Sequence, residues 1–160
     1  MADLSDERRA YLAEGNATQA RKRTSADALV LDAERRVLLV NPTYKEGWDL
    51  PGGMLEANES PRLGLARELR EELGLDLAVG RLLVVDWQAP HDPWDDLVAF
   101  VFDCGTLSTD QAVRVDGDEV SEHRWATPSE AAHLLSPAKQ HQLERALTAS
   151  IEGTCSYTER

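Results

Sequence analysis

A chain of 160 residues is the size of one domain, and its 42% hydrophobic content supplies a core without disulfides or a structural metal. A net charge of −12, from 29 acidic residues against 17 Lys and Arg, argues against the basic face that nucleic acid or an anionic membrane surface requires, so neither partner is expected. Cys104 and Cys155 form no CxxC pair, and no apolar run reaches signal-peptide or membrane-spanning length, so the expectation is a soluble cytoplasmic protein.

Residues 5–14 carry weak helical character, which Gly15 and Asn16 are expected to end. The basic cluster Arg21, Lys22 and Arg23 leads into an apolar, β-prone run at 26–31. Residues 32–35 read as a turn and 37–40 as a second strand, so the pair predicts a hairpin. Residues 41–53 read as loop, punctuated by Pro42, Gly47, Pro51, Gly52 and Gly53. The clearest helix follows. Ser60 suits its N-cap, Pro61 its first turn and Gly74 the position just past its end, and Leu65, Ala66, Leu69 and Leu73 share one face. Residues 81–87 and 97–102 predict strands joined by a loop holding Pro90, His91, Pro93 and Trp94, and 123–126 predicts another. Pro128 opens a last helical region, 129–135 and 138–149, broken at Pro137. Strands and helices mix without regular βαβ alternation, which predicts an α/β fold with a mixed sheet packed between helices.

The chemistry concentrates on the helix after Pro61. At about 100° per residue, Glu68 and Glu72 lie roughly 40° apart around the axis with Glu71 flanking Glu68, so three carboxylates share one arc. Like charges at these spacings destabilise a helix, and near its C-terminus they also oppose the macrodipole. A divalent cation reverses that cost, because converging hard oxygen ligands are what Mg²⁺ requires. Gly64, one turn earlier on the arc, is expected to keep it free of bulk. The same acids could instead form a solvated helix face with Arg67 and Arg70; the Pro-Gly-Gly loop, the capped helix start and the spacing of Gly53, Glu59 and Arg67 favour the cation site.

The segment between residues 53 and 75 resembles the Nudix box, G-x5-E-x7-R-E-U-x-E-E-x-G-U with U apolar, at all nine specified positions. Gly53, Glu59, Arg67, Glu68, Leu69, Glu71, Glu72, Gly74 and Leu75 fill them in turn. The resemblance implies an α/β/α sandwich over residues 24–150, with 1–23 as a partly helical N-terminal segment and 151–160 as a C-terminal tail. It also implies Mg²⁺-dependent hydrolysis, with Mn²⁺ as a substitute, of a nucleoside diphosphate linked to another group. Carried over by position, Glu68, Glu71 and Glu72 would hold the metal with the Gly52 carbonyl, and Glu59 with Arg67 would orient the glutamates. The general base could be Glu68 within the box, or Glu119 or Glu122 outside it, with Glu119 preferred.

The substrate is less sharply indicated. Trp48, Trp87 and Trp94 could stack on a base or simply fill the core. Arg23, Lys45 and Arg36 could meet phosphates, and the Gly53 backbone could approach the substrate closely. No histidine has metal-ligand spacing, which argues against zinc. The expected partner is a small nucleotide-type molecule, and a homodimer would suit the resemblance. The rival is a sensing domain that binds a nucleotide without cutting it, although such domains tend to lose box glutamates that this chain keeps.

Overall fold

The computed structural model describes residues 4–108 and 111–160. Its sheet has seven strands in the order β6-β2-β1-β5-β4-β7, with β3 also paired to β1. The strands are β1 Arg23–Leu31, β2 Val37–Pro42, β3 Gly52–Met54, β4 Leu82–Gln88, β5 Leu97–Thr106, β6 Val120–Ala126 and β7 Ser156–Glu159. β1 is the axis of the fold, with seven consecutive buried residues, the mark of a strand covered on both faces. It runs parallel to β5 and antiparallel to β2 and β3, so the sheet is mixed and the predicted hairpin is present.

Alternation along the strands sorts the core into two layers. Leu29 and Leu31 of β1 with Val37 and Leu39 of β2 pack beside Leu143, Ala146 and Ala149 of helix α4, Pro137–Glu152. Ala26, Ala28 and Val30 with Leu38 and Val40 face the opposite way, onto Leu65, Leu69 and Leu73 of helix α2, Pro61–Leu73. A sheet between helices results, the α/β/α sandwich that the sequence predicts. The short helix α3, Pro128–Leu134, opens with a capping box in which Thr127 and Glu130 satisfy each other's backbone donors.

Four elements differ from the sequence-based expectation. Helix α1 spans Asp6–Thr18 and continues through Gly15 and Asn16, because a helical glycine costs only about 1 kcal/mol and does not by itself end a helix. Ser5 caps it by accepting from the Arg8 N–H at 3.3 Å, and none of its residues is buried. β3 lies in the stretch expected to be loop; it is a strand by pairing with β1, Asp27 opposite Gly52 and Ser25 opposite Met54, and Gly52 takes a φ of +134° there. Within the segment expected to be a tail, residues 156–159 form β7, parallel to β4 with Val84 opposite Ser156. β5 runs on to Thr106 because β1 supplies a partner as far as Leu31. No helix among the described residues is long and apolar enough to cross a membrane.

Candidate active site

The buried side of α2 holds carboxylates as well as leucines: Glu68 is 8% exposed and Glu72 4%. Their oxygens, together with one from Glu119, all lie within 4.8 Å of one another. Glu119 reaches them because the chain before β6 is strapped to the end of α2. Arg114 N–H donates to the Leu73 carbonyl at 2.9 Å, and Asp116 N–H to the Glu72 carbonyl at 3.1 Å. The Asp116 carboxylate then accepts from Glu119 N–H at 3.2 Å and Val120 N–H at 2.9 Å, which turns the loop back toward the helix. Glu122 sits further along β6, where it accepts from Asn41 Nδ2 at 3.0 Å and stays outside the carboxylate group.

Arg67 organises the flank of this group. Its guanidinium grips both Glu59 oxygens, at 3.0 and 2.9 Å, while Nη1 reaches Glu68 Oε1 at 3.0 Å and Glu71 Oε2 at 2.9 Å. Hydrogen bonds from Arg67, and then from the Glu56 N–H, hold the Glu59 carboxyl down to about 2. Glu71 is drawn to the Arg67 side, is largely exposed, and does not join Glu68, Glu72 and Glu119. Gly64 has a different use from the one expected. A Cβ there would collide with Leu55 Cδ2 and come within 2.8 Å of Glu59 Oε2, so the glycine admits the 55–59 loop against the helix and lets Glu59 meet Arg67.

Apart from Arg67 beside Glu68, no cation pairs with a member of the carboxylate group among the described residues. Burial pushes the Glu72 carboxyl up to about 8, the Gly52 N–H at 3.2 Å opposes this, and the negative neighbours Glu68, Glu119 and Asp27 add to it. Burial likewise raises Glu68, against the pull of Arg67. Three converging hard oxygens without a matching cation are a donor set that fits a divalent metal ion. Gly53 keeps the group accessible: a Cβ on it would lie 2.7 Å from Glu68 Cδ. Gly53→Ala should therefore displace the Glu68 carboxylate and lower kcat about a hundredfold while leaving the melting temperature within a few degrees, as steady-state kinetics and calorimetry would register.

Beside the acids lies a cleft of about 410 Å³ that Arg23, Lys45 and Gly53 line together with Tyr44, Gln88 and Trp94. Trp94 is 54% exposed, with the Arg23 guanidinium 4.5 Å above its ring. Trp48 is elsewhere: it is partly buried against the α4 side of the core, with Arg124 over its ring at 5.8 Å, and lines a neighbouring cavity. Trp87 donates to Asp96 Oδ2 at 2.8 Å, and Arg36 is paired with Asp32 at 2.6 Å. The cleft's floor is not among the residues expected from the sequence. Lys139 of α4 bridges Asp27 of β1 at 2.6 Å and Asp49 at 3.2 Å, and Lys45 also pairs with Asp49. The one available signal was an aspartate inside an apolar strand; its partner is 112 residues away.

A mixed sheet clasped between helices, with buried glutamates converging beside a cationic cleft, defines a hydrolase of phosphoanhydride bonds. The sequence pattern of the NUDIX domain matches residues 21–148, and the chain belongs to the Nudix hydrolase family. Enzymes of this family generally use divalent metal ions and act on small nucleotide-type substrates. The chain is similar to a MutT-like protein of Streptomyces ambofaciens, with 30% identity over 112 residues, 70% of this chain and 68% of the relative. It is also similar to an 8-oxo-dGTP diphosphatase of Proteus vulgaris, with 37% identity over 62 residues, 36% of this chain and 55% of that one. Among solved structures, a UDP-X diphosphatase superposes with a TM-score of 0.76 at 23% identity, over 98% of this chain and 76% of that one.

Proposed function

We propose that the chain is a Mg²⁺-dependent pyrophosphohydrolase that cleaves the diphosphate linkage of a nucleoside diphosphate-linked compound: a nucleotide sugar, ADP-ribose or a nucleoside triphosphate. The observation that carries this reading is the convergence of Glu68, Glu72 and Glu119 within 4.8 Å, with Glu68 and Glu72 buried and Glu72 in no ion pair among the described residues. Glu68, Glu72 and the Gly52 carbonyl would hold the ion, joined by Glu71 on release from Arg67, with Glu119 beside them as the base. When bound, a divalent cation offsets the diphosphate charge and makes a water molecule acidic enough to attack at neutral pH.

The chain's own groups do the rest. Glu119 is exposed, and its carboxylate accepts no hydrogen bond from the described residues, so it is free to take the proton of the attacking water. Glu68, the alternative base, already accepts from Arg67 on Oε1. Arg67 and Glu59 act as positioning residues, holding Glu68 against the Gly53 backbone. Arg23 and Lys45 meet the remaining negative charge of the substrate in the adjoining cleft. The name of the Proteus relative brings nucleoside triphosphates forward as the first class to try.

The test is a panel of nucleoside triphosphates, nucleotide sugars, ADP-ribose and dinucleoside polyphosphates assayed with Mg²⁺ for phosphate or pyrophosphate release. At least one class should turn over and lose its turnover on chelation, and Glu119→Gln should slow that class about a hundredfold or more. Binding across the panel without any hydrolysis would favour the sensing domain instead.

A further inference from the structure

Asp86 of β4 is fully buried, and donors from three separate parts of the chain converge on it. Gln142 of α4 donates to Oδ2 at 2.9 Å, Thr158 of β7 to Oδ1 at 2.5 Å, and Arg160, just beyond β7, engages both oxygens, with Nε at 3.1 Å. The main chain of Arg160 is fixed as well: its N–H donates to the Trp87 carbonyl at 2.9 Å, and its carbonyl accepts from Ala89 N–H at 2.7 Å. The remaining donor to Asp86 is Gln88 Nε2, at 3.1 Å, and Gln88 lines the cleft beside the glutamates.

A carboxylate only accepts hydrogen bonds, so this contact sets which way the Gln88 amide points. One Nε2 hydrogen is committed to Asp86, and Oε1 is left with no partner among the described residues. The amide is thereby held in one orientation, with Oε1 presented as a fixed acceptor on the side away from Asp86, in a cleft it shares with the ring of Trp94. We infer that Gln88 Oε1 reads a ring N–H or exocyclic amine on a flat, non-reacting part of the substrate, and that Arg160, acting through Asp86, is the positioning residue that holds it. This inference rests on the nucleotide-hydrolase reading and deepens it by stating what distinguishes one substrate from another.

The experiment compares the best of ATP, GTP, CTP and UTP with its counterpart lacking base N–H donors, purine or pyrimidin-2-one riboside 5′-triphosphate, on the full chain with Mg²⁺. Native protein should show a KM about tenfold higher for the donor-free ligand. Gln88→Leu should erase that difference by raising KM for the common nucleotide, with kcat changed less than about twofold. Arg160→Ala should raise the same KM, and the double variant should exceed Gln88→Leu by no more than about twofold, because the arginine acts through the glutamine. Should Arg160→Ala fail to fold, Arg160→Lys replaces it, with a smaller shift in the same direction expected. Equal KM for the two ligands in native protein, or an unchanged difference in Gln88→Leu, overturns the inference, and additive effects overturn the part given to Arg160. If no triphosphate is hydrolysed, the hydrolase reading is decided separately by the nucleotide-sugar, ADP-ribose and dinucleoside-polyphosphate arms of the panel. The comparison is then made on Kd from tryptophan fluorescence, where the same tenfold difference and its loss in Gln88→Leu are expected; equal Kd values, or no binding, overturn the inference.

Discussion

Glu72→Gln should abolish turnover and yet melt at a higher temperature than the native chain in EDTA. Glu72 is 4% exposed, and the charged groups that act most strongly on it are Glu68, Glu119 and Asp27, all acidic. Its one favourable contact is the Gly52 N–H, which an amide oxygen can still accept. The substitution therefore keeps the shape and the hydrogen bond while removing a carboxyl that at neutral pH must take up a proton or remain a buried charge, a change worth roughly 1–3 kcal/mol to the metal-free fold. For a chain of this length that is a rise of several degrees. The activity moves the opposite way. A metal ion's charge stabilisation is worth several kcal/mol at the transition state, so kcat should fall on the order of a thousandfold. The shift in melting temperature that Mg²⁺ gives the native chain should shrink in parallel. Near-native rates with Mg²⁺ would refute the metal role of Glu72, and a lower melting temperature in EDTA would refute the cost assigned to its burial.

The opposed signs say what the site is for. A chain with net charge −12 that handles an anionic diphosphate has to offset repulsion twice, within its own acids and between those acids and the substrate. One cation placed between them would do both, and the fold would then hold the acids in place at a standing cost to its own stability. Such a cost is expected where stability and function compete for the same residues.

How much of this could be read from the sequence depends on how local each signal is. Helix α2 was legible, since Pro61, Gly74 and the leucine spacing act within a few residues of the turns they govern, although Ser60 takes the N-cap position without a side-chain hydrogen bond. The hairpin of β1 and β2 was legible for the same reason. β3 and β7 were not: Gly-Gly-Met and Ser-Tyr-Thr-Glu have little strand character of their own, and β1 and β4 supply the pairing that makes them strands. Within the site, the box named Glu68 and Glu72, but not that Arg67 would draw Glu71 aside. Nor could spacing choose between Glu119 and Glu122. That choice is made by two backbone hydrogen bonds, from Arg114 and Asp116 to the end of α2, which bring the first inward and leave the second on a strand beside Asn41. The least legible part was the floor of the cleft, because Asp27, Asp49 and Lys139 signal nothing until the fold brings them together.

That floor carries the second large effect. Lys139→Met should destabilise the protein by about 3–5 kcal/mol, the usual cost of stripping one partner from a buried ion pair. The lysine side chain is 19% exposed, and the two carboxylates that it bridges are 5% and 10% exposed. Burial disfavours the Lys139 charge, but Asp27 and Asp49 outweigh it and raise the ammonium's pKa, so the group stays a cation throughout the range in which the fold is stable. Without it, Asp27 has no cation in contact, and Asp49 keeps only Lys45, whose side chain is far more exposed. The melting temperature should drop by roughly 6–20 °C. Because the loss comes from orphaned charge more than from lost attraction, neutralising the orphan should reverse much of it, and Asp27→Asn combined with Lys139→Met should melt well above Lys139→Met alone. Calorimetry on the three proteins decides the matter: a single variant within about 2 °C of native, or a double variant no more stable than the single, would mean that the bridge is a surface pair of little weight.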